Sequence, residues 1–373
     1  MDLELNTDQR FFQETTRKFL ESEAPIPVAR GLASNPDGFE RSWWRKAAEL
    51  GWTSLLVPEE FGGGSLSGGV LADLSIVAEE LGRVAAPGPF LATNVVAAGL
   101  VVDGSEQQRS DVLAGIMSGD VVATWCMAEP ARRFGDVGLQ AERRGGAFIL
   151  NGRKTLVEAG AQADQLLVTA RVDGGLTQFL VPAGTPGVDV EQREGIDLTR
   201  RYAVVTFTDA ELGEDTLVGA VGAAGPAVDR QWDVAVALQC AEMVGAAGRV
   251  LEFTVEYAFD RYTFGRPLAS YQALKHRFAD MKMWYEASCA STAAAARAVD
   301  AGADDSRKLV SVAKAYVGDK ATDTIQDCVQ MHGGIGVTYE HDIHLYLRRV
   351  ALHRQTYGTP DEHRERIATA IGM

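Results

Sequence analysis

Apolar and polar positions recur along this chain with two different periods. Phe11, Phe12, Thr15, Phe19 and Leu20 return at the spacing of one helical face, and SWWRKAAELGW (42–52) repeats that pattern until VPEEFGGGSLSGG (57–69) breaks it. VLADLSIVAEELGRV (70–84) predicts another helix, ending near APGPF. From about 119 to 222 the texture becomes short β-prone runs: VVATWCM, AFILNGRKTLV, DQLLVTARV, TQFLVPA and AVVTFTDA, separated by Gly, Asp and Pro. Helical periodicity then returns over 233–265, 271–302 and 306–334. In the last of these Leu309, Val312, Ala313, Tyr316 and Val317 share a face, with Asp304 to Ser306 as caps. The pattern predicts a multidomain α and β protein: an N-terminal helical domain (1–118), a middle β-barrel or sandwich domain (119–222) and a C-terminal four-helix bundle (223–373). No helix-length pattern alternates with the strands, which disfavours a doubly wound sheet.

Composition narrows the functional classes. The 373 residues exceed one ordinary core, and 46 % apolar with 23 % charged residues is usual for a globular chain. The 36 Lys and Arg against 51 Asp and Glu give a net charge of -15, which disfavours nucleic acid and anionic membrane as partners. The first residues lack a basic stretch followed by an apolar core, and no run reaches about 20 consecutive apolar residues, so the expected location is cytoplasmic. Cys126, Cys240, Cys289 and Cys328 lie far apart without metal-type spacing and are expected as buried reduced thiols.

Two segments carry candidate chemistry. RYTFGRPL (261–268) sets Arg261, Thr263 and Phe264 beside a Gly-Arg-Pro turn, a cluster suited to a phosphate and an adenine ring, or simply a helix-ending turn with a surface Arg. QMHGGIGVTYEHDIHLYLRR (330–349) has a double glycine at a helix end, either a plain C-cap or a place where backbone approaches a ligand beside Gln330. His332, His341, His344 and His353 lack zinc-type spacing. GGGSLSGG (62–69) lacks the ending of a phosphate loop, GAAG (245–248) lies within a helical pattern, and no nucleophilic triad signature is present. The alanine-rich run near 290–299 is expected to be a closely packed bundle face.

AAELGWTSLLVPEEFGGG, EELGR, CMAEP, LNGRKTLVEAG, DRYTFGRPL, FADM and QMHGGIGVTYEHDIHLYLRR, in this order over nearly the whole chain, resemble the acyl-CoA dehydrogenase family. The resemblance implies the same three-part architecture, FAD as cofactor, an acyl-CoA substrate, electron-transfer flavoprotein as acceptor, and tetramers built as dimers of dimers. It also implies α,β-dehydrogenation: a desolvated carboxylate takes the α-proton and flavin takes the β-hydride. In the family the adenine half of each FAD is gripped by the neighbouring subunit, and Arg261, Thr263, Phe264, Gln330 and Gly334 match the gripping positions.

The rest of the family pattern is altered. The base of the Tyr-Glu-Gly-Thr loop corresponds to Tyr357, between Thr356 and Gly358-Thr359, and the alternative base position falls at Ala235, so no residue is assigned as catalytic. Asp233, Glu242, Asp361 and Glu362 are candidates for a displaced base by proximity in sequence. Around the flavin ring the chain has Ala128, Leu156 and Glu158, where the family has Thr, Trp and Thr. A carboxylate at 158 near the flavin would oppose the electron-rich reduced form unless it were protonated. This asymmetry resembles the non-catalytic subunit of heteromeric, α2β2 acyl-CoA dehydrogenases of bacterial steroid side-chain degradation. That resemblance implies a catalytic partner subunit whose FAD site this chain completes. The open alternatives are an active homo-oligomer with a displaced base and a structural homologue without flavin.

Overall fold

The computed structural model describes residues 4–373, and these group into two compact units. One gathers the residues up to Arg30, Leu71–Ala86 and Val236–Met373; the other gathers Gly31–Val70 and Pro87–Ala235. Along the chain the order is helical, then β, then helical, as the periodicities imply.

The first unit is all helical apart from one short hairpin. Its principal helices are Thr7–Glu23, nearly all of Val70–Arg83, the greater part of Gly225–Asp260, then Gln272–Asp300, Ser306–His332, Ile343–Gln355 and Pro360–Ala370. Thr7–Glu23 starts where Asn6 and Gln9 form a reciprocal capping box, and Gln9 Nε2 also donates to Asp73 Oδ1 at 2.7 Å. The amides of Leu71 and Ala72, left free by the start of their helix, donate to the carboxylate of Asp300 at 2.9 Å each. Gly225–Asp260 is apolar enough by composition to cross a membrane, yet 94 % of its apolar window is buried within the protein, as for a core helix. It meets Val70–Arg83 at a pair of glycines. A Cβ on Gly82 would lie 2.0 Å from Glu242 O, and one on Gly245 would lie 1.9 Å from Glu79 O, so the two backbones touch where only glycine fits. Arg17 closes this layer with a bidentate pair to buried Glu80 at 2.7 and 2.9 Å.

The second unit holds eight strands: β1 Ala123–Cys126, β2 Ala141–Arg144, β3 Ala147–Glu158, β4 Gln165–Val172, β5 Gly175–Pro182, β6 Val188–Arg193, β7 Tyr202–Leu212 and β8 Leu217–Val218. They form two four-stranded sheets, ordered β1-β4-β5-β8 and β2-β3-β7-β6. Pairing is antiparallel except for β1 with β4, and two irregularities in the β3–β7 register bend β3. In β4 the run Leu166–Ala170 is buried without alternation, as expected of a strand covered on both faces. The helix Phe90–Asp103 packs against β1, and within this unit the rings of Trp43, Trp44, Trp52 and Phe90 meet 6.2–6.4 Å apart. Arg201 anchors the segment before them by donating to the carbonyls of Leu32, Ala33 and Asn35.

Three strands lie outside the runs read from sequence: β2, β6 and β8. AERR and VDVEQR are polar because one face of each meets solvent, and β8 is only two residues long.

Candidate functional site

The end of the Gly225–Asp260 helix turns straight into a hairpin in which Arg266 pairs with Thr263. Phe264 and Gly265 between them have φ of +52° and +79°, the signs a type I′ turn requires. A phenylalanine in that conformation is strained, and the turn holds its ring 93 % exposed. Tyr271 braces the hairpin: its hydroxyl donates to Thr263 O at 2.7 Å, and Arg266 stacks on its ring at 3.9 Å. Arg261 is different. It is exposed, and its guanidinium has no hydrogen bond or ion pair to any described residue.

The second segment is the end of the Ser306–His332 helix. Gly333, at φ +63°, stops it, and a 3-10 turn runs from Gly333 to Val337. Gln330, Gly333 and Gly334 are exposed, and nothing lies within 4 Å of a Cβ built on either glycine. Tyr257 ties this end to the hairpin helix by stacking on His332, centroids 4.5 Å apart, and by donating to His332 O at 3.4 Å. The structure therefore brings the two segments named from sequence to one end of the helical unit. Phe259, Tyr262, Ile335, Val337 and Tyr339 are further exposed apolar side chains on these segments. Sequence reading passed over them because each also fits the apolar pattern of a helix end.

Tyr357 follows the Ile343–Gln355 helix with φ +57°, and its side chain is buried. His363 Nε2 contacts Tyr357 O at 3.0 Å; burial pushes the His363 pKa down to about 3, so the ring is neutral and Nε2 donates. Behind the turn Lys314 is fully buried and donates to Gln239 Oε1 at 2.7 Å, to Thr356 O at 2.9 Å and to His353 O. Burial pushes the Lys314 pKa down to about 8, which leaves the ammonium protonated at neutral pH. Gln239 Nε2 donates to Thr356 Oγ1 at 2.7 Å and faces His353 Nδ1 at 3.2 Å; His353 Nε2 faces Glu242 Oε2 at 2.7 Å. Arg349 completes the chain at 3.3 Å from the same oxygen. The turn at Tyr357 is thus held by a continuous buried network.

Three of the four acids considered for a displaced base are engaged, Glu242 in that network and the other two outside it. Glu242 is buried against Arg349 and His353, Glu362 accepts from Thr359 N at 2.8 Å in a capping box, and Asp361 pairs with Arg364 at 2.6 Å on the surface. Asp233 and Ala235 are buried in the part of their helix that belongs to the other unit.

In the β unit Ala128 is buried and accepts from Thr155 N at 2.9 Å, while Leu156 is 44 % exposed at φ +51°. Glu158 is buried and ion-paired with Arg200, which is itself buried. The Glu158 charge is thus compensated inside the domain by a buried cation, a relief that the sequence reading sought only in protonation. The adjoining cavity, bounded by Phe39, Thr199 and Arg201 among others, is about 10 Å³, room for about one water. Glu129 of the Glu-Pro pair accepts from Lys154 Nζ at 2.7 Å and from the amides of Gly138 and Leu139. Sequence gave no sign of either pairing, since the partners lie 42 and 25 residues apart.

Three family models cover this architecture: the N-terminal domain of acyl-CoA dehydrogenase matches residues 6–120, the middle domain 126–209 and the C-terminal domain 229–372. Among characterised relatives, acyl-CoA dehydrogenase IpdE2 of Mycolicibacterium smegmatis is 30 % identical, covering 98 % of this chain and 100 % of that protein. The chain belongs to the acyl-CoA dehydrogenase family. IpdE2 of Mycobacterium tuberculosis is 31 % identical, covering 98 % of this chain and 97 % of that one. A variant of the Tcur3481-Tcur3483 steroid ACAD superposes with a TM-score of 0.88 at 27 % identity, over 97 % of each chain.

The cofactor of the acyl-CoA dehydrogenase family is FAD, which accepts hydride at its flavin ring when bound. The residues at the end of the helical unit fit its other half. Arg261 offers an uncommitted cation for a pyrophosphate, Phe264 an exposed ring face for adenine, Gln330 an amide, and Gly334 open space for close approach. Ala128, Leu156 and Glu158, expected from sequence beside the flavin ring, offer no side-chain donor; the buried Glu158 carboxylate is ion-paired with Arg200.

Proposed function

We propose that this chain is the non-catalytic subunit of a heteromeric acyl-CoA dehydrogenase, and that it completes the FAD site of a catalytic partner with Arg261, Thr263, Phe264, Gln330 and Gly334. The observation that carries this reading is the contrast at Tyr357. The position where the family places its general base holds a buried tyrosine, on a turn whose Thr356 is held by Lys314, while Arg261, Phe264, Gln330 and Gly334 are exposed. A phenol of pKa about 10 holds its proton at neutral pH and cannot take one from a carbon acid.

In this division of labour the partner supplies the carboxylate and the flavin seat. Arg261 neutralises the pyrophosphate, Phe264 shields the adenine from water, and Gln330 offers both donor and acceptor to the cofactor. The exposed apolar side chains around this half-site, Val337 at 79 % above all, would be covered by the partner. The substrate class is an acyl-CoA, and a steroid-derived acyl group is favoured by the steroid ACAD likeness and by the paired name of that protein. Electron-transfer flavoprotein as acceptor, an α2β2 assembly and a cytoplasmic location complete the proposal.

The test is co-expression with an acyl-CoA dehydrogenase chain from the same genome that carries Glu in its Tyr-Glu-Gly-Thr loop. A stable complex with dehydrogenase activity, lost when the partner's Glu is changed to Gln, supports the reading. Full activity from this chain purified alone overturns it.

A further inference from the structure

The helical unit contains a cavity of about 580 Å³ that none of the half-site residues lines. Its size falls within the range of small-molecule pockets, about 300–1,000 Å³, and far above the room one water needs. Small side chains on facing helices create it: Ala72 and Ser75 on one, Ala290 and Ala293 on another. The alanine run expected to be a closely packed face is therefore only half so. Ala295, Ala298 and Val299 are buried in packing, while Ala290 and Ala293 leave space that larger residues would fill.

Glu79 lines this space together with Ile76 and Val244. Its carboxyl has no hydrogen bond or ion pair with any described residue. Nearby cations are committed elsewhere: Arg17 to Glu80 at 2.7 Å, and Arg83 to Glu252 at 2.7 Å. Desolvation first, and the adjacent Glu80 second, raise the Glu79 pKa to about 7. At the rim Glu286 is paired with Lys282 at 2.7 Å and Glu4 with Arg10 at 3.3 Å, and Arg297 donates to Glu4 O at 3.3 Å. The lining thus combines apolar walls with Glu79, while its other carboxylates, Glu4 and Glu286, each have a cation.

We propose that this cavity is a second binding site, distinct from the flavin half-site, for a small organic ammonium ion with an apolar body of about ten non-hydrogen atoms. The ammonium donates to Glu79, supplying the counter-ion the fold withholds, and the body covers Ile76, Val244 and the alanine faces. An anionic ligand is disfavoured by the Glu79 carboxylate. A neutral alcohol of the same shape forms only an uncharged hydrogen bond, roughly half as strong.

Calorimetric titration with 2-phenylethylammonium chloride at pH 8 tests this, on the chain or its assembled complex, with 2-phenylethanol as the neutral control. Saturable binding is expected, weakened about 10-fold to 150-fold in Glu79→Gln, the range of one charge-assisted hydrogen bond. Ala293→Leu, which fills the cavity and keeps Glu79, should also weaken it at least 10-fold and decides the matter should Glu79→Gln fail to fold. Absence of binding up to 10 mM overturns the proposal. So does equal affinity for the alcohol, or affinity unchanged in either variant.

Discussion

Arg261→Ala isolates the contribution of the half-site to the cofactor. In the structure the Arg261 guanidinium is exposed and makes no internal hydrogen bond or ion pair, so truncation removes nothing from the fold. Its effect should fall on the FAD pyrophosphate alone, where a charge-assisted contact is worth about 1.5–3 kcal/mol. At 1.4 kcal/mol per decade, that is about a 10-fold to 150-fold weakening of FAD retention. Arg266, three residues from Thr263 in the same hairpin, is already engaged over the Tyr271 ring at 3.9 Å, so Arg266→Ala should change retention by less than about 3-fold. The assay is the rise of flavin fluorescence as the co-expressed complex is diluted, at 0.05 and 0.5 M salt. The Arg261 effect should shrink at high salt, because an edge-exposed pair is screened beyond about 10 Å at 0.1 M. Equal retention in Arg261→Ala and wild type, or equal losses for the two arginines, would refute the half-site argument.

Other consequences are as direct. Tyr357→Phe should leave the steady-state activity of the complex within about 5-fold, since no proton transfer is assigned to the phenol; a drop of about 100-fold, the scale of a lost general base, would contradict that. Glu158→Gln removes the carboxylate charge that faces buried Arg200 and should cost about 3–5 kcal/mol, read as a lower thermal midpoint; an unchanged midpoint would mean the pair adds nothing. His363 has a folded pKa of about 3 against 6.5, so the unfolded chain binds more protons between these values and stability is lost as pH falls through that window. His363→Gln should therefore narrow its deficit against wild type as pH is lowered from 7.5 to 5, and parallel melting curves would exclude the linkage.

How far the sequence could be read follows from the range of each interaction. The long helices and the buried strands announce themselves by local periodicity, and the hairpin around Phe264 and the glycines at 333–334 are local motifs, so both were visible. The edge strands Ala141–Arg144 and Val188–Arg193 were not, because their solvent faces read as loop. The ion pair of Glu158 was not visible either, because Arg200 comes from 42 residues away. The grip of Lys314 on Thr356 spans the same distance, and Glu242 meets His353 across 111 residues. Long-range pairing also lets Leu71–Ala86 join the C-terminal helices while the sequence on both sides of it joins the strands. A cavity is the least legible feature of all: alanine at 290 and 293 is compatible with tight packing or with empty space, and only the facing helices decide.

The most direct test of the account is FAD content per polypeptide. For the complex with the Glu-bearing chain the account predicts about one FAD for each pair of unlike chains, and a colourless preparation when this chain is made alone. A flavinylated homotetramer of this chain, with one tightly held FAD per polypeptide, would contradict it.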